Sequence, residues 1–282
     1  MQIIESIQDM KEFVQQAKLQ GKSIALVPTM GSLHEGHLTL MRKAQQSFDI
    51  VVTSIFINPT QFGPNEDFAS YPRDVAGDSE KAASAGVQVI FHPKASDMYP
   101  KHYNTFIEVE DITNKLCGLS RPGHFRGVAT VVTKLFNIVQ PDRAFFGQKD
   151  AQQVMVLQRM VADLNMNVIL EVVPIVREID GLAMSSRNAF LSPKERQAAL
   201  VLSRSLQLAS KLVAQGEKNI ETIRLQVIAM IQTEELAEIE YVEILSFASL
   251  QTITTLQDKA LLALAVRIGT TRLIDNTILE EN

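Results

Sequence analysis

Along residues 1–175, short apolar runs rich in β-branched residues alternate with longer stretches of helical periodicity, and no other feature restricts the fold as much. Ser6 to Gln20 is amphipathic and closed by Gly21, the run "SIALVP" follows, and Gly36 to Ser47 is periodic again. "DIVVTSIFIN", Asp49 to Asn58, is too β-branched for a helix, and Pro59, Pro64 and Pro72 punctuate the stretch after it. "VQVIFHP" and "FIEVE" have strand texture, Gly127 to Gln140 and Asp150 to Asn165 have helix texture, and "RAFFG" and "NVILEVVPI" are further strand candidates. Strands joined by crossover helices run parallel, because a parallel pair needs a long connection over the sheet face. The expectation is an α/β fold: a Rossmann-like parallel sheet domain over residues 1–175, with ligands beyond the carboxyl ends of its strands.

After Ile175 the order changes. Two long helical stretches, Ser192 to Gln215 and Ile220 to Thr233, precede the strand candidates "YVEILS", "ALLALAVRIG" and "RLIDN". Helices followed by strands indicate a second, smaller α+β C-terminal domain over residues 176–282, with "REIDGLAMSSRN" at the junction. A length of 282 residues is enough for two cores. The net charge of -5 argues against capture of nucleic acid or an anionic membrane, and no apolar run is long enough to span a bilayer. With Cys117 as the one cysteine, neither an intrachain disulfide nor a Cys-rich metal site can form. These features lead to the expectation of a cytoplasmic protein with a small-molecule ligand.

The stretch "VPTMGSLHEGHL", Val27 to Leu38, sets His34 and His37 three residues apart, where an apolar run gives way to a helix. Residues three apart on a helix are neighbours, so both rings would share a face. A helix N-terminus offers unpaired N–H groups, and Gly31 and Gly36 let a ligand approach the backbone, which suits phosphate. The histidines would then donate to charge developing on phosphorus and on leaving pyrophosphate. The plainer alternative is a strand-to-helix turn with two exposed polar residues.

"TMGSLHEGH" resembles the His-x-Gly-His signature of the nucleotidyltransferase superfamily, which includes class I aminoacyl-tRNA synthetases and small adenylyltransferases. "IFINPTQFGPNEDFASYPRD", "RPGHFRGVATVVTKLFNIVQPDRAFFGQKDAQQ" and "VREIDGLAMSSRNAFLSPKER" follow in order, and together the four blocks are similar to the pantoate–β-alanine ligase family. The likeness runs from about residue 20 to residue 200, while the C-terminal part matches by length and pattern. It implies adenylation of the pantoate carboxylate by ATP, with release of pyrophosphate, and then displacement of AMP by β-alanine.

The resemblance makes Met30, Gly31, Ser32, Leu33, His34, Glu35, Gly36, His37, Gly147, Gln148, Lys149, Asp150, Val176, Met184, Ser185, Ser186 and Arg187 the ATP-binding set, with His37, His34 and Lys149 catalytic. From the residues alone, Lys149 is either a phosphate-facing cation or a solvated loop lysine, and Asp150 either caps a helix or holds the ribose. Ser185, Ser186 and Arg187 are either a polar turn or phosphate donors, the arginine holding two oxygens at once. Their place at the junction suggests that the C-terminal domain acts as a lid over ATP.

Pantoate offers a carboxylate, hydroxyls and methyl groups. From the residues alone Gln61 and Gln153 read as surface glutamines; the resemblance makes them the expected substrate amides, with Phe62, Met30 and Pro28 as apolar walls. Arg121 either steers anions or packs its loop. Mg2+ would arrive with ATP, and Asp78 is the one candidate metal ligand. The resemblance also suggests a homodimer. The competing readings are an adenylyltransferase acting on a phosphorylated acceptor, which would never release AMP, and a non-catalytic ATP-binding module.

Overall fold

A computed structural model describes residues 1–64 and 66–281. The chain divides into two compact units, Met1–Asn114 with Gly118–Pro174, and Ile175–Asn282 with Lys115–Cys117. In order they contain β1 (Gln2–Ile4), α1 (Ile7–Leu19), β2 (Ile24–Thr29), α2 (Glu35–Gln45), β3 (Ile50–Ile55), α3 (Val75–Ser84), β4 (Val89–Phe91), α4 (Ala95–Met98), α5 (Leu116–Ser120), α6 (His124–Val139), β5 (Arg143–Gly147), α7 (Ala151–Asp163) and β6 (Ile169–Val173). The remaining elements are α8 (Pro193–Ala214), α9 (Ile220–Ile231), β7 (Ala237–Ser246), β8 (Ala260–Ile268) and β9 (Thr271–Leu279).

The first unit is α/β. Its six strands pair in parallel in the order β1-β4-β3-β2-β5-β6. Helices cover both faces of the sheet, so every residue of β3 is buried. That is why these strands read as continuous apolar runs with no polar alternation. The order reverses direction between β2 and β5: β3 and β4 build to one side of β2, and β5 and β6 to the other. The chain therefore leaves the carboxyl ends of β2 and β5 in opposite directions, opening a crevice where α/β sheets bind ligands.

Local chemistry sets several boundaries. Ser6 caps α1 by accepting the Asp9 N–H. Ser192 and Glu195 form a reciprocal capping box at the start of α8, with Pro193 in the first turn. One expectation changes, and two elements appear where the sequence marks none. "FIEVE" pairs with no strand: the Ile107 N–H goes to the Thr130 hydroxyl of α6 at 2.9 Å, while Ile107 and Val109 pack on the core. Its alternation thus records packing on a helix. β1 lies at the sheet edge and, at three residues, is too short to show a period, and α3 follows a proline-rich stretch that reads as loop.

The second unit is α+β. Strands β7, β8 and β9 form an antiparallel sheet, with α8 and α9 packed on its apolar face. Gly269, at φ 57°, occupies the tight turn between β8 and β9.

Candidate active site

The loop Met30–His34 leaves the carboxyl end of β2 at the switch point. Gly31 and Ser32 both have positive φ, 85° and 50°. A Cβ on Gly31 would lie 2.9 Å from Asp78 Oδ2 and 3.2 Å from Ile55 Cγ2, so only glycine fits. Asp78 projects from α3 and is 2% exposed. Its Oδ2 accepts the Ser32 N–H and its Oδ1 the Leu33 N–H, each at 2.7 Å. Lys81, one turn further along α3, donates to Leu33 O at 3.0 Å. Helix α3 thereby holds the loop by its amides and by a carbonyl.

This geometry corrects the metal role expected of Asp78. Both carboxylate oxygens are directed at backbone N–H groups, and among the described residues no group of three or more His, Cys, Asp or Glu side chains could hold a metal ion. Asp78 braces the loop.

The helix start differs from the expectation as well. Two N–H groups at the start of α2 are taken by imidazole: Gly36 N–H donates to His34 Nδ1 at 3.2 Å, and the N–H of the N-cap residue His34 to His37 Nδ1 at 3.4 Å. Each Nδ1 is an acceptor, so each neutral ring carries its proton on Nε2. The ring centroids are 4.1 Å apart. The pair thus presents Nε2–H donors in place of the backbone amides that the sequence suggests. Desolvation holds the His37 pKa well below its ordinary value, and the charges of His34, Lys149 and Lys81 push in the same direction. A neutral His37 near two lysines is a donor that does not compete with them for charge. Lys149 follows β5 in a short 3-10 turn, Gln148–Asp150, on the other side of the switch point. Lys81 has no motif to announce it, and only the fold brings it close.

Gln61 lies on the turn Pro59–Gln61 after β3 and is 9% exposed. Its Nε2 donates to Met30 Sδ at 3.0 Å, and its Oε1 accepts from Asn58 Nδ2 at 3.1 Å. The expected partners Met30 and Gln61 are therefore in contact. Helix α6 lies close behind the turn: Asn58 Nδ2 also donates to Gly127 O at 3.1 Å, and a Cβ at Gly127 would collide with Thr60 O. Arg121 grips both oxygens of Glu66 through Nε and Nη2 at 2.7 and 2.6 Å, which ties it to its loop. His124 Nδ1 lies 2.8 Å from Gln61 O, and burial together with the Arg121 charge lowers its pKa to about 4. The blocks "NPTQF" and "RPGHFRG" hence form one wall. His124 was legible only as part of a quoted block.

Other expected residues are placed less closely. Phe62 stacks edge-on against Phe68 and Tyr71. Gln153 is half-buried on the first turn of α7, while its neighbour Gln152 is buried and donates to Ile112 O. In the second unit, Ser185 caps the turn Ser186–Phe190 by accepting the Arg187 N–H at 3.2 Å. Val176 O accepts the Met184 N–H at 3.0 Å. Asn188 Nδ2 donates to Glu178 Oε1 and Ala183 O, and Glu178 pairs with Arg196 at 2.5 Å.

A switch-point loop capped by two imidazoles, with lysines beside it, defines an α/β protein of the His-x-Gly-His nucleotide-handling class. Comparison with known proteins narrows this. Residues 2–278 match the family described as Pantoate-beta-alanine ligase. The chain is 58% identical to the pantothenate synthetase of Pelotomaculum thermopropionicum, over 99% of both chains. It matches the crystal structure of pantothenate synthetase from Thermus thermophilus at TM-score 0.93 and 39% identity, covering 98% of this chain and 99% of that one. A pantoate-beta-alanine ligase from Francisella tularensis, solved with beta-gamma ATP and beta-alanine, matches at TM-score 0.81 and 35% identity over 99% and 97% of the two chains. The chain belongs to the pantoate–β-alanine ligase family.

Proposed function

We infer that this chain is an AMP-forming ligase that joins pantoate to β-alanine through a pantoyl adenylate. The observation that carries the reading is the pair of Nε2–H donors of His34 and His37, fixed by backbone caps at the switch point and flanked by Lys149. A pantoate carboxylate oxygen attacks the α-phosphorus of ATP and the bond to pyrophosphate breaks. The β-alanine amine then attacks the acyl carbon, loses a proton, and AMP departs. The first step brings anions together, so positioned donors and cations lower its barrier most. His37, His34 and Lys149 meet the charge developing at phosphorus and on pyrophosphate. Gln61 and Gln153 hold the pantoate oxygens beside Met30.

The same reading keeps Gly31 to Gly36 and Gly147 to Asp150 as nucleotide contacts. It assigns residues 176–282 a lid function, with Ser185, Ser186 and Arg187 as phosphate ligands. Slower proteolysis of the Met184–Asn188 segment in the presence of ATP tests that assignment. The donor set does not fit a protein-held Mg2+, because Asp78 is turned to the loop and no acidic cluster forms among the described residues. Mg2+ enters as part of the MgATP substrate, held by phosphate and water. A homodimer acting in the cytoplasm completes the reading. No helix among the described residues is long and apolar enough to cross a membrane.

The test is purified protein with MgATP, pantoate and β-alanine, each omitted in turn. Exchange of labelled pyrophosphate into ATP should need pantoate alone, and AMP should appear only when β-alanine is added. Exchange that required β-alanine would rule out the adenylate.

A further inference from the structure

The carboxamide of Gln61 is held in one sense by a chain of groups that ends at Tyr99. Asn58 Nδ2 faces two acceptors, Gln61 Oε1 and Gly127 O, each at 3.1 Å. At the other end of the Asn58 amide, Oδ1 accepts from Thr60 N–H at 3.3 Å, the Thr60 hydroxyl at 2.9 Å and the Tyr99 hydroxyl at 2.8 Å. A backbone carbonyl only accepts and a backbone N–H only donates, so the Asn58 amide cannot be turned over without two mismatches. Gln61 must then direct Oε1 at Asn58. Its Nε2 is left against the Met30 thioether, a weak acceptor for a strong donor in a nearly buried place.

Tyr99 is well placed to steady this chain. Its ring packs near Phe56 and edge-on to Tyr103 at 5.1 Å, and its hydroxyl also lies 3.2 Å from Thr60 Oγ1. Lys134 lies over the same ring at 5.7 Å. Burial raises the Tyr99 pKa to about 12, so the hydroxyl keeps its proton and remains a donor through neutral pH.

We propose that Tyr99 is a positioning residue for substrate selection: it steadies Asn58, whose amide the Gly127 carbonyl and the Thr60 N–H set in one sense, and thereby helps to hold Gln61 as a hydrogen-bond donor, so the site selects a substrate with a hydroxyl oxygen opposite Gln61 Nε2. The proposal rests on pantoate being the substrate and goes beyond that reading by fixing which end of the amide reads it. Tyr99 acts through Asn58 and does not touch the reacting atoms.

Tyr99→Phe removes the hydroxyl and keeps the ring. Pantoate-dependent pyrophosphate exchange is measured with pantoate and with an analogue that keeps the carboxylate and methyls but lacks the hydroxyls, with KM and kcat separated. Loss of one buried hydrogen bond should raise the pantoate KM roughly five- to tenfold and narrow the preference over the deoxy analogue by a similar factor. The ATP KM should stay within about twofold of wild type. A merely structural role would lower the melting temperature and leave the substrate ratio unchanged. A folded Tyr99→Phe variant with wild-type pantoate KM and an undiminished ratio overturns the proposal. Should that variant fail to fold, Thr60→Val, which deletes a hydroxyl but keeps the N–H, should narrow the ratio to a smaller degree, and an unchanged ratio there overturns it equally. A wild-type protein with no pantoate-dependent exchange overturns the functional reading and this proposal together, whereas an active wild type beside an unaffected Tyr99→Phe overturns this proposal alone.

Discussion

The two loops expected to meet ATP phosphates are held in different ways. Met30–His37 is set from behind: Asp78, 2% exposed, takes two of its amides, Gly31 has no space for a side chain, and imidazoles cap the helix that follows. Met184–Asn188 is half-buried and held by local bonds: backbone bonds from Met184 N–H to Val176 O and from Asn188 N–H to Ser185 O, the Ser185 cap, the Asn188 side-chain contacts, and beside it the pairing of Arg196 with Glu178 and Asp180. A charged group on rigid backbone keeps its aim without a ligand, whereas ion pairs near solvent contribute little each and are screened by salt. On the proposed reading, the first loop is the one suited to preorganised transition-state contacts. On the same reading, the second would supply the Arg187 charge from a segment held by local bonds.

The most severe test of this contrast is to remove a donor from the rigid loop. His37→Ala and Lys149→Ala should each slow pyrophosphate release by roughly a hundredfold or more in single-turnover assays, with the amide step less affected. Near-normal adenylation in both would return the histidines to the role of a simple cap. Asp78→Asn comes next, since its NH2 group must face an N–H. We expect a loss of about 1–3 kcal/mol in denaturant unfolding, accompanied by loss of adenylation. An Asp78→Asn protein as stable as wild type would mean that the loop is not braced from α3. Arg187→Ala should cut the rate about tenfold while leaving unfolding within ~0.5 kcal/mol, because a half-exposed cation contributes charge and little packing. If it unfolded the second unit, the contrast between the loops would collapse.

The smallest effect is in pH dependence. His37 and His124 both have folded pKa values below the ordinary 6.5, His124 at about 4. Between the folded and unfolded values the unfolded chain binds more protons, so stability is fully present above pH 6.5 and falls as the pH is lowered toward about 4. Each histidine contributes a slope of at most ~1.4 kcal/mol per pH unit. His124→Gln should flatten part of that slope in urea titrations run at several pH values. Because His37 is already neutral, adenylation should not decline as the pH falls from 8 to about 6.5.

The sequence made the sheet legible where burial is complete. "SIALVP", "DIVVTSIFIN" and "RAFFG" each became a strand because a covered parallel sheet demands unbroken apolar runs. It misled at "FIEVE", where the same alternation serves packing on α6 without strand pairing. The placing of His34 and His37 at a helix start and of Gln61 after β3 was legible because motif and position agreed. Lys81 and the true role of Asp78 were not, since both depend on α3 folding back onto a loop some 45 residues earlier, a contact that no local pattern encodes. Tyr99 was hidden for the same reason: its hydroxyl meets Asn58 across 41 positions of chain.

Met30 gives the Gln61 contact a chemical vulnerability. Its thioether sits 3.0 Å from the amide nitrogen and is half-buried. Peroxide would transfer one oxygen to that sulfur and leave as water, turning a weak acceptor into the strong S=O dipole of a sulfoxide. The new oxygen would occupy the donor that substrate should meet. Oxidative stress would then act as a competitor for pantoate from the first residue of the ATP loop, and a Met30→Leu enzyme should keep its pantoate KM after peroxide treatment while the wild type loses affinity until methionine sulfoxide reductase restores it.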